Sequence, residues 1–276
     1  RDCLLSRGLG DVYKRQVVGI EAKADKRPIY KLAAPELLEL PNVGTAKEFD
    51  LETCASLSPD LVILPLKLKD AAKSLTELGI PVLLVNPESP DQLSEMISLI
   101  ATATNTQDKA GQLLDFINQE KEMLTTSLAT ADDTPNIYLA GNSSLLSTAG
   151  SAMYQSGIIE LAGGKNVASD ISDTYWTEIS YEQLLSWDPD YIILASDAEY
   201  TVDDVLSDPN LKDCTAVKNN HVYAIPGDIE ALDSPVPASI LASIWLAGIL
   251  HPDQVSTDTY TKEMNSFYET FYGIKK

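Results

Sequence analysis

Residues Ser180–Ser196 read SYEQLLSWDPDYIILAS, an amphipathic run that opens near an acid, Glu182, closes at Pro189-Asp190, and runs on into Ile192, Ile193 and Leu194. Proline sets the turn and cannot continue a helix, aspartate can bond its own backbone, and an uninterrupted apolar run suits a strand covered on both faces. The stretch is therefore an αβ unit, and it has an echo. Leu51–Leu64 reads LETCASLSPDLVIL; Glu52 and Glu182, Ser56 and Ser186, Pro59 and Pro189, and Asp60 and Asp190 all stand at one shift of 130 positions. Val62, Ile63 and Leu64 supply the second apolar strand. Two copies are too few for a solenoid and predict a pair of similar α/β lobes.

A chain of 276 residues with 44% hydrophobic content is long enough for two such lobes with a core each. Lys and Arg number 20 against 41 Asp and Glu, a formal net charge of −21, which repels phosphate backbones and excludes nucleic acid as a partner. The same charge favours basic partners. No run of 18 apolar residues is present, so no transmembrane helix is expected. The three cysteines, Cys3, Cys54 and Cys214, form no CxxC pair; Cys54 lies inside the amphipathic run and reads as a small core residue.

Arg1–Gln16, RDCLLSRGLGDVYKRQ, lacks the long apolar segment of a signal peptide and differs in character from the chain after Gln16. It is expected to be a non-native leader that replaces an export signal and a first strand. Residues 17–105 are expected to form the first lobe. Within it Val17–Ile20 reads as a short strand leading into the most basic loop of the chain (Lys23, Lys26, Arg27, Lys31), Ala71–Leu78 as a helix closed by Gly79, and Ile80–Val85 as a strand. Ser89, Pro90 and Gln92 start a further helix. From Thr106 a stripe of Ala110, Leu113, Leu114, Ile117, Leu124 and Leu128, broken mid-way by Glu120 and Lys121, predicts one long helix over 106–130 as a rigid connector. ADDTP at 131–135 ends it.

Residues 131–276 are expected to form the second lobe: strand Ile137–Ala140, a polar loop NSSLLSTAGS, helix Met153–Ala162 closed by Gly163-Gly164, and the αβ unit itself. An insertion rich in acids and aromatics, Asp170–Trp176, comes before that unit. Strand His221–Ile225, a helix capped by Ser234-Pro235 and running to Leu250, and a C-terminal aromatic helix complete the lobe. Asn166-Val167 repeats Asn42-Val43 ahead of the first copy. No GxSxG or HExxH occurs, and Gly164-Lys165 fails as a P-loop because Ile159 stands where glycine is needed and Asn166 where Ser or Thr is needed. His221 and His251 are the only histidines, too few for a His-rich zinc site, and both read as structural. No catalytic residue and no metal ligand set is therefore assigned.

The two φ-E-x-φ-φ-S-φ-x-P-D-φ-φ-I-L units, LAGGKNVA with WTEISYEQL after it, and the ending SPVPASILASIWLAGILHP resemble the substrate-binding proteins of ABC importers for iron complexes, the class with a helical connector that takes ferric siderophores, haem and corrinoids. The resemblance implies two Rossmann-like α/β lobes with parallel sheets joined by one long α-helix, a ligand in the cleft between them, and only a small change in lobe separation on binding. Ligands of open α/β sheets bind outside the carboxyl ends of the strands. Tyr30, Tyr175 and Trp176 are then expected to give flat apolar contact, with Lys31, Lys67, Asp197 and Glu230 orienting polar groups of the ligand. The resemblance implies no resident cofactor beyond a chelated iron, haem or corrinoid ligand. It also implies a monomer peripheral to the membrane, extracytoplasmic in the periplasm or held at the cell surface as a lipoprotein. The permease would be met by acidic lobe tips, Asp70 on the first lobe and Asp203 or Asp204 on the second. An α/β enzyme using the same site, distinguished by turnover, is the alternative from another class.

Overall fold

The computed structural model describes residues 17–172 and 176–275; the expected leader at 1–16 and Tyr175 lie outside the described residues. The chain divides into two compact units, the first made of residues 17–87, 91–114 and 265–275, the second of 88–90 and 115–264. In chain order the helices α1 (Pro28–Ala33) and α2 (Leu51–Ser56), strand β1 (Val62–Pro65), α3 (Lys69–Glu77), β2 (Val82–Val85), α4 (Pro90–Thr104) and α5 (Gln107–Leu128) come first. Next are β3 (Asn136–Ala140), β4 (Ser147–Ala149), α6 (Tyr154–Leu161), β5 (Lys165–Asn166), β6 (Trp176–Glu178), α7 (Tyr181–Trp187), β7 (Tyr191–Leu194), α8 (Val202–Leu206), α9 (Thr215–Lys218), β8 (Val222–Ala224), α10 (Ile240–Leu250) and α11 (Thr257–Tyr272). The fold is α/β with parallel sheets. The 22 residues of α5 span about 33 Å at the usual rise per residue.

The two copies of the αβ unit share more than the four matched side chains. Asp50 caps α2, accepting from the Thr53 N–H at 2.9 Å, and Ser180, 130 positions on, caps α7, accepting from Gln183 at 3.2 Å. Both helices run into a residue with left-handed backbone, Ser58 at φ 48° and Asp188 at φ 41°, again at the same shift. A proline comes directly after each. Proline pushes its predecessor out of the right-handed helical region, and the left-handed turn reverses the chain toward the strand. The matched aspartate of the second copy is structural: Asp190 accepts from the Asn136 N–H at 2.7 Å, tying the start of β7 to the start of β3. The Asn-Val echo is also structural, since Asn42 and Asn166 each accept from the N–H two residues on, at 3.4 and 2.9 Å.

In the first unit β1 and β2 pair in parallel with Val62 opposite Val82, and Cys54, Val62, Leu64, Ala72 and Leu75 form the core. Full burial of side chains of this kind contributes roughly 1.5–3 kcal/mol each. Gly79 at φ 82° closes α3, with its N–H on Thr76 and that of Ile80 on Leu75, as the sequence predicts. Gly163 at φ 79° closes α6 in the same way, with bonds to Glu160 and, from Gly164, to Ile159. The second unit holds a six-stranded sheet of order β6-β4-β3-β7-β8 with β5 also on β3. β3, β5, β7 and β8 run parallel, and β4 runs antiparallel to both its neighbours, β3 and β6.

Three expectations are corrected. Val17–Ile20 forms no strand and contributes a single parallel bridge, Ile20 to Asn42, with the Ile20 N–H on the Pro41 carbonyl and the Val43 N–H on the Ile20 carbonyl. The polar stretch after β3, expected to be a loop, contains β4, whose Ser147, Thr148 and Ala149 are all buried; the Thr148 hydroxyl donates to the Leu139 carbonyl at 2.7 Å, so its polarity is spent inward. Ser234-Pro235 does not cap α10. A 3-10 turn at Pro237–Ser239 intervenes and the helix starts at Ile240, beyond the second of two prolines that lack N–H groups.

Candidate functional site

Parallel strands converge their outgoing loops at their carboxyl ends, and in the second unit three such loops are bonded together. Gly141, directly after β3, donates its N–H to the Ser147 carbonyl at 2.7 Å and accepts at its own carbonyl from the Tyr200 hydroxyl at 2.6 Å. Next to it the Asn142 carbonyl accepts from the Glu199 N–H at 2.8 Å. The loop after β7 is thereby fixed to the loop after β3. On its other side the Ser196 hydroxyl donates to buried Asp233, and a Cβ on Gly227 would stand 3.0 Å from that of Ser196, so the loop after β8 packs closely on the loop after β7.

Trp176 enters this end through β6, where it pairs with Ala149 of β4. Its ring lies along Gly141: a Cβ placed there would be 3.0 and 3.1 Å from Cζ3 and Cε3 of the indole. Only a glycine lets the ring approach the end of β3 so closely. Burial pushes the Tyr200 phenol well up, so it stays a hydrogen-bond donor at all ordinary pH. Elsewhere in the second unit the Tyr154 and Ser239 hydroxyls share a bond of 2.6 Å, and burial raises the Tyr154 phenol to about 12.

The residues expected at the site are distributed between the two units. Trp176 is half-buried and Asp197 exposed, both at this end of the second unit; Glu230, in the loop after β8, is buried at 6% exposure. In the first unit Lys31 on α1 is exposed, as is Lys67 in the 3-10 turn directly after β1. Tyr30 differs: it is 2% exposed and among the largest fully buried side chains. Beside it Arg27 pairs with Glu21 at 2.8 Å. The carboxyl-end rule points to the loops that hold Gly141, Tyr200, Ser196 and Asp233 but singles out none of the four. The signal that could have found the first is its position as the glycine ending an apolar strand, Ile137–Ala140; nothing in spacing marks the others.

Asp70 is exposed in the first turn of α3, and Asp203 and Asp204 are exposed in the first turn of α8. Asp204 closes a capping box, accepting from the Thr201 N–H at 2.8 Å and hydroxyl at 2.7 Å, and these bonds hold its carboxyl below the usual range. Asp203 makes no such cap contact. His221 stacks on Tyr191 with centroids 4.5 Å apart, and buried His251 meets the Gly163 carbonyl at 3.2 Å. Burial pushes up the thiols of Cys54 and Cys214, which makes them poor nucleophiles. Among the described residues no group of three His, Cys, Asp or Glu side chains could hold a metal ion, and no helix is long and apolar enough to cross a membrane.

The sequence profile described as periplasmic binding protein matches residues 12–229. The chain belongs to the periplasmic binding protein family. It is a substrate-binding protein of the ABC importer class, as the paired αβ units and the LAGGKNVA segment anticipate. The molybdate-binding protein MolA of Haemophilus influenzae is 25% identical over 284 residues, covering 94% of this chain and 80% of MolA. The solved structure of MolA bound to molybdate superposes with a TM-score of 0.83 at 24% identity, over 99% of this chain and 90% of that one, a likeness of fold. The Fe(3+)-citrate-binding protein YfmC of Bacillus subtilis is 30% identical over 212 residues, 75% of this chain and 65% of YfmC. The vitamin B12-binding protein of Salmonella choleraesuis is 28% identical over 166 residues, 59% of this chain and 62% of that protein. These relatives are binding proteins, not enzymes.

Proposed function

We propose that the protein captures an iron complex, a ferric siderophore, ferric citrate or haem, outside the cytoplasm and hands it to a membrane permease without chemical change. The observation that carries the reading is the carboxyl end of the second unit's sheet, where the Trp176 ring packs against Gly141 in a rim of bonded loops. A planar or chelated ligand needs such a mixture of aromatic wall and few polar anchors, and Asp197 and Glu230 stand in the same loops. Lys31 and Lys67, exposed on the first unit, would meet carboxylates or phenolates of the chelate. YfmC, at 30% identity, supports iron over other metals.

The similarity to MolA over 94% of the chain favours a second reading, a metal oxyanion, and the vitamin B12-binding relative keeps a corrinoid as the third. Thermal shift and tryptophan emission with ferric citrate, ferric siderophores, haemin, cobalamin and molybdate decide among them. Stabilisation by the iron complexes alone is expected; stabilisation by molybdate alone replaces iron with an oxyanion, and silence from all five removes the reading. Docking would use exposed Asp70 and Asp203, with Asp204 committed to its cap. The protein would work as a monomer at the periplasmic or outer cell surface face of the membrane.

A further inference from the structure

We propose that Tyr200 and Gly141 are positioning residues of the ligand site: Gly141 is the slot that receives the Trp176 ring, and the Tyr200 hydroxyl fixes the slot. The inference rests on the binding reading above, and no part of it derives from the αβ repeat. Three independent contacts meet at this one residue. Ser147 of β4 takes the Gly141 N–H at 2.7 Å, Tyr200 gives its hydroxyl to the Gly141 carbonyl at 2.6 Å, and Trp176 occupies the space that any side chain at 141 would need. Because both polar groups of the residue are held, the Gly141 backbone cannot rotate to open or close that space. The indole is thus presented at one depth and one tilt at the end of β3. Thr148 and Thr177, the pair next to Ala149 and Trp176 in the β4–β6 ladder, set its height along the strand.

A flat ligand stacking on the ring gains from this arrangement because the wall is ordered before it arrives, so no rotamer is frozen on binding. Tyr200 touches the ligand nowhere in this scheme. It acts through Gly141, and its loss should weaken binding without emptying the core.

The test compares wild type, Tyr200→Phe, Gly141→Ala and Trp176→Phe in the full chain. Three readouts are taken: melting temperature, the emission that wild type has and Trp176→Phe lacks, and affinity for whichever of ferric citrate, haemin, cobalamin or molybdate the wild type binds. Tyr200→Phe should shift the Trp176 emission in the ligand-free protein and weaken binding about fivefold, the factor that corresponds to one hydrogen bond of ~1 kcal/mol. Gly141→Ala should do both more strongly. Should the ring stay put, with unchanged Trp176 emission in Tyr200→Phe, the inference is overturned, even where the melting temperature falls. Equal affinity of both variants for a probe that wild type binds also overturns it. A wild type that binds none of the probes defeats the binding reading and this inference with it, a result distinct from the previous two.

Discussion

Ser58 and Asp188 occupy the same left-handed position in the two copies, yet they should respond oppositely to glycine. The left-handed region costs a side chain roughly 1 kcal/mol, which glycine avoids. Ser58 is exposed, so Ser58→Gly should stabilise by up to about 0.5–1 kcal/mol after the added freedom of the unfolded chain is offset. Asp188 also serves another element, because its carboxylate accepts from the Thr215 N–H at 2.7 Å and hydroxyl at 2.9 Å, at the start of α9. Asp188→Gly loses that contact, worth about 1 kcal/mol, and should lower stability or leave it level. Urea midpoints of the two variants check the contrast; a gain in both would mean that the Thr215 contact carries no weight. Glu120 gives a pH-dependent case. It is 9% exposed on α5, and burial first, then Glu263, raise its carboxyl from 4.5 to about 7, with Lys262 opposing. Its folded value lies above the unfolded one, so stability is full below pH 4.5 and is lost as pH rises through 7. Glu120→Gln should therefore leave the melting temperature unchanged near pH 4.5 and raise it at pH 8. The bound from the shift is about 3 kcal/mol, screened in practice to about 1–2. An equal effect at both pH values would place the cause in packing rather than ionisation.

At the scale of elements, buried Asn166 joins three pieces of the second unit. Its amide donates to the Ala149 carbonyl at 2.8 Å, ending β4, and to the Ser156 hydroxyl at 2.7 Å on α6, while its oxygen accepts from the Ala168 N–H. Asn166→Ala strands a buried carbonyl and a buried N–H, which costs roughly 2–3 kcal/mol and should appear as faster amide exchange along α6 and β4 ahead of β7. Uniform loss of protection across the sheet would show instead that the unit opens as one piece. The same asparagine marks how far sequence carries. Its echo of Asn42, the glycine closures at Gly79 and Gly163, the start of α4 at Pro90 and the long α5 were legible because each is a local pattern within a few residues. β4 was not, because Ser147 and Thr148 are polar and buried, and only the partner carbonyls across the sheet make that tolerable. Nor was the left-handed turn at Ser58, since neither serine nor aspartate advertises a positive φ as glycine does. At the site, Trp176 could be singled out as an aromatic in a polar insertion, whereas Tyr30, expected in a polar basic loop, lies buried on α1; exposure depends on packing that no spacing encodes. Tyr200 and Gly141 lie 59 positions apart, and their bond exists only once β3 and β7 are paired.

For the whole molecule the governing quantity is the net charge of −21, which acts on stability and on association with opposite signs. Self-repulsion among surface carboxylates favours the unfolded chain, in which they move apart. Raising NaCl from about 20 mM to about 500 mM shortens the screening length from roughly 20 Å to roughly 4 Å, so the repulsion fades and the melting temperature at pH 7.5 should rise by about 2–6 °C. The same acids, Asp70 and Asp203 among them, are proposed to steer the protein onto a basic permease surface. Steering depends on the unscreened field, so the association rate with permease in proteoliposomes should fall steeply over that salt range while dissociation changes little. Both effects come from one charge distribution, and a single salt titration reads them together. A melting temperature that climbs while association slows fits an acidic surface used for docking. A melting temperature that climbs with an association rate indifferent to salt would leave the acids as a solubility coat, and Asp70→Asn or Asp203→Asn would then dock at the wild-type rate.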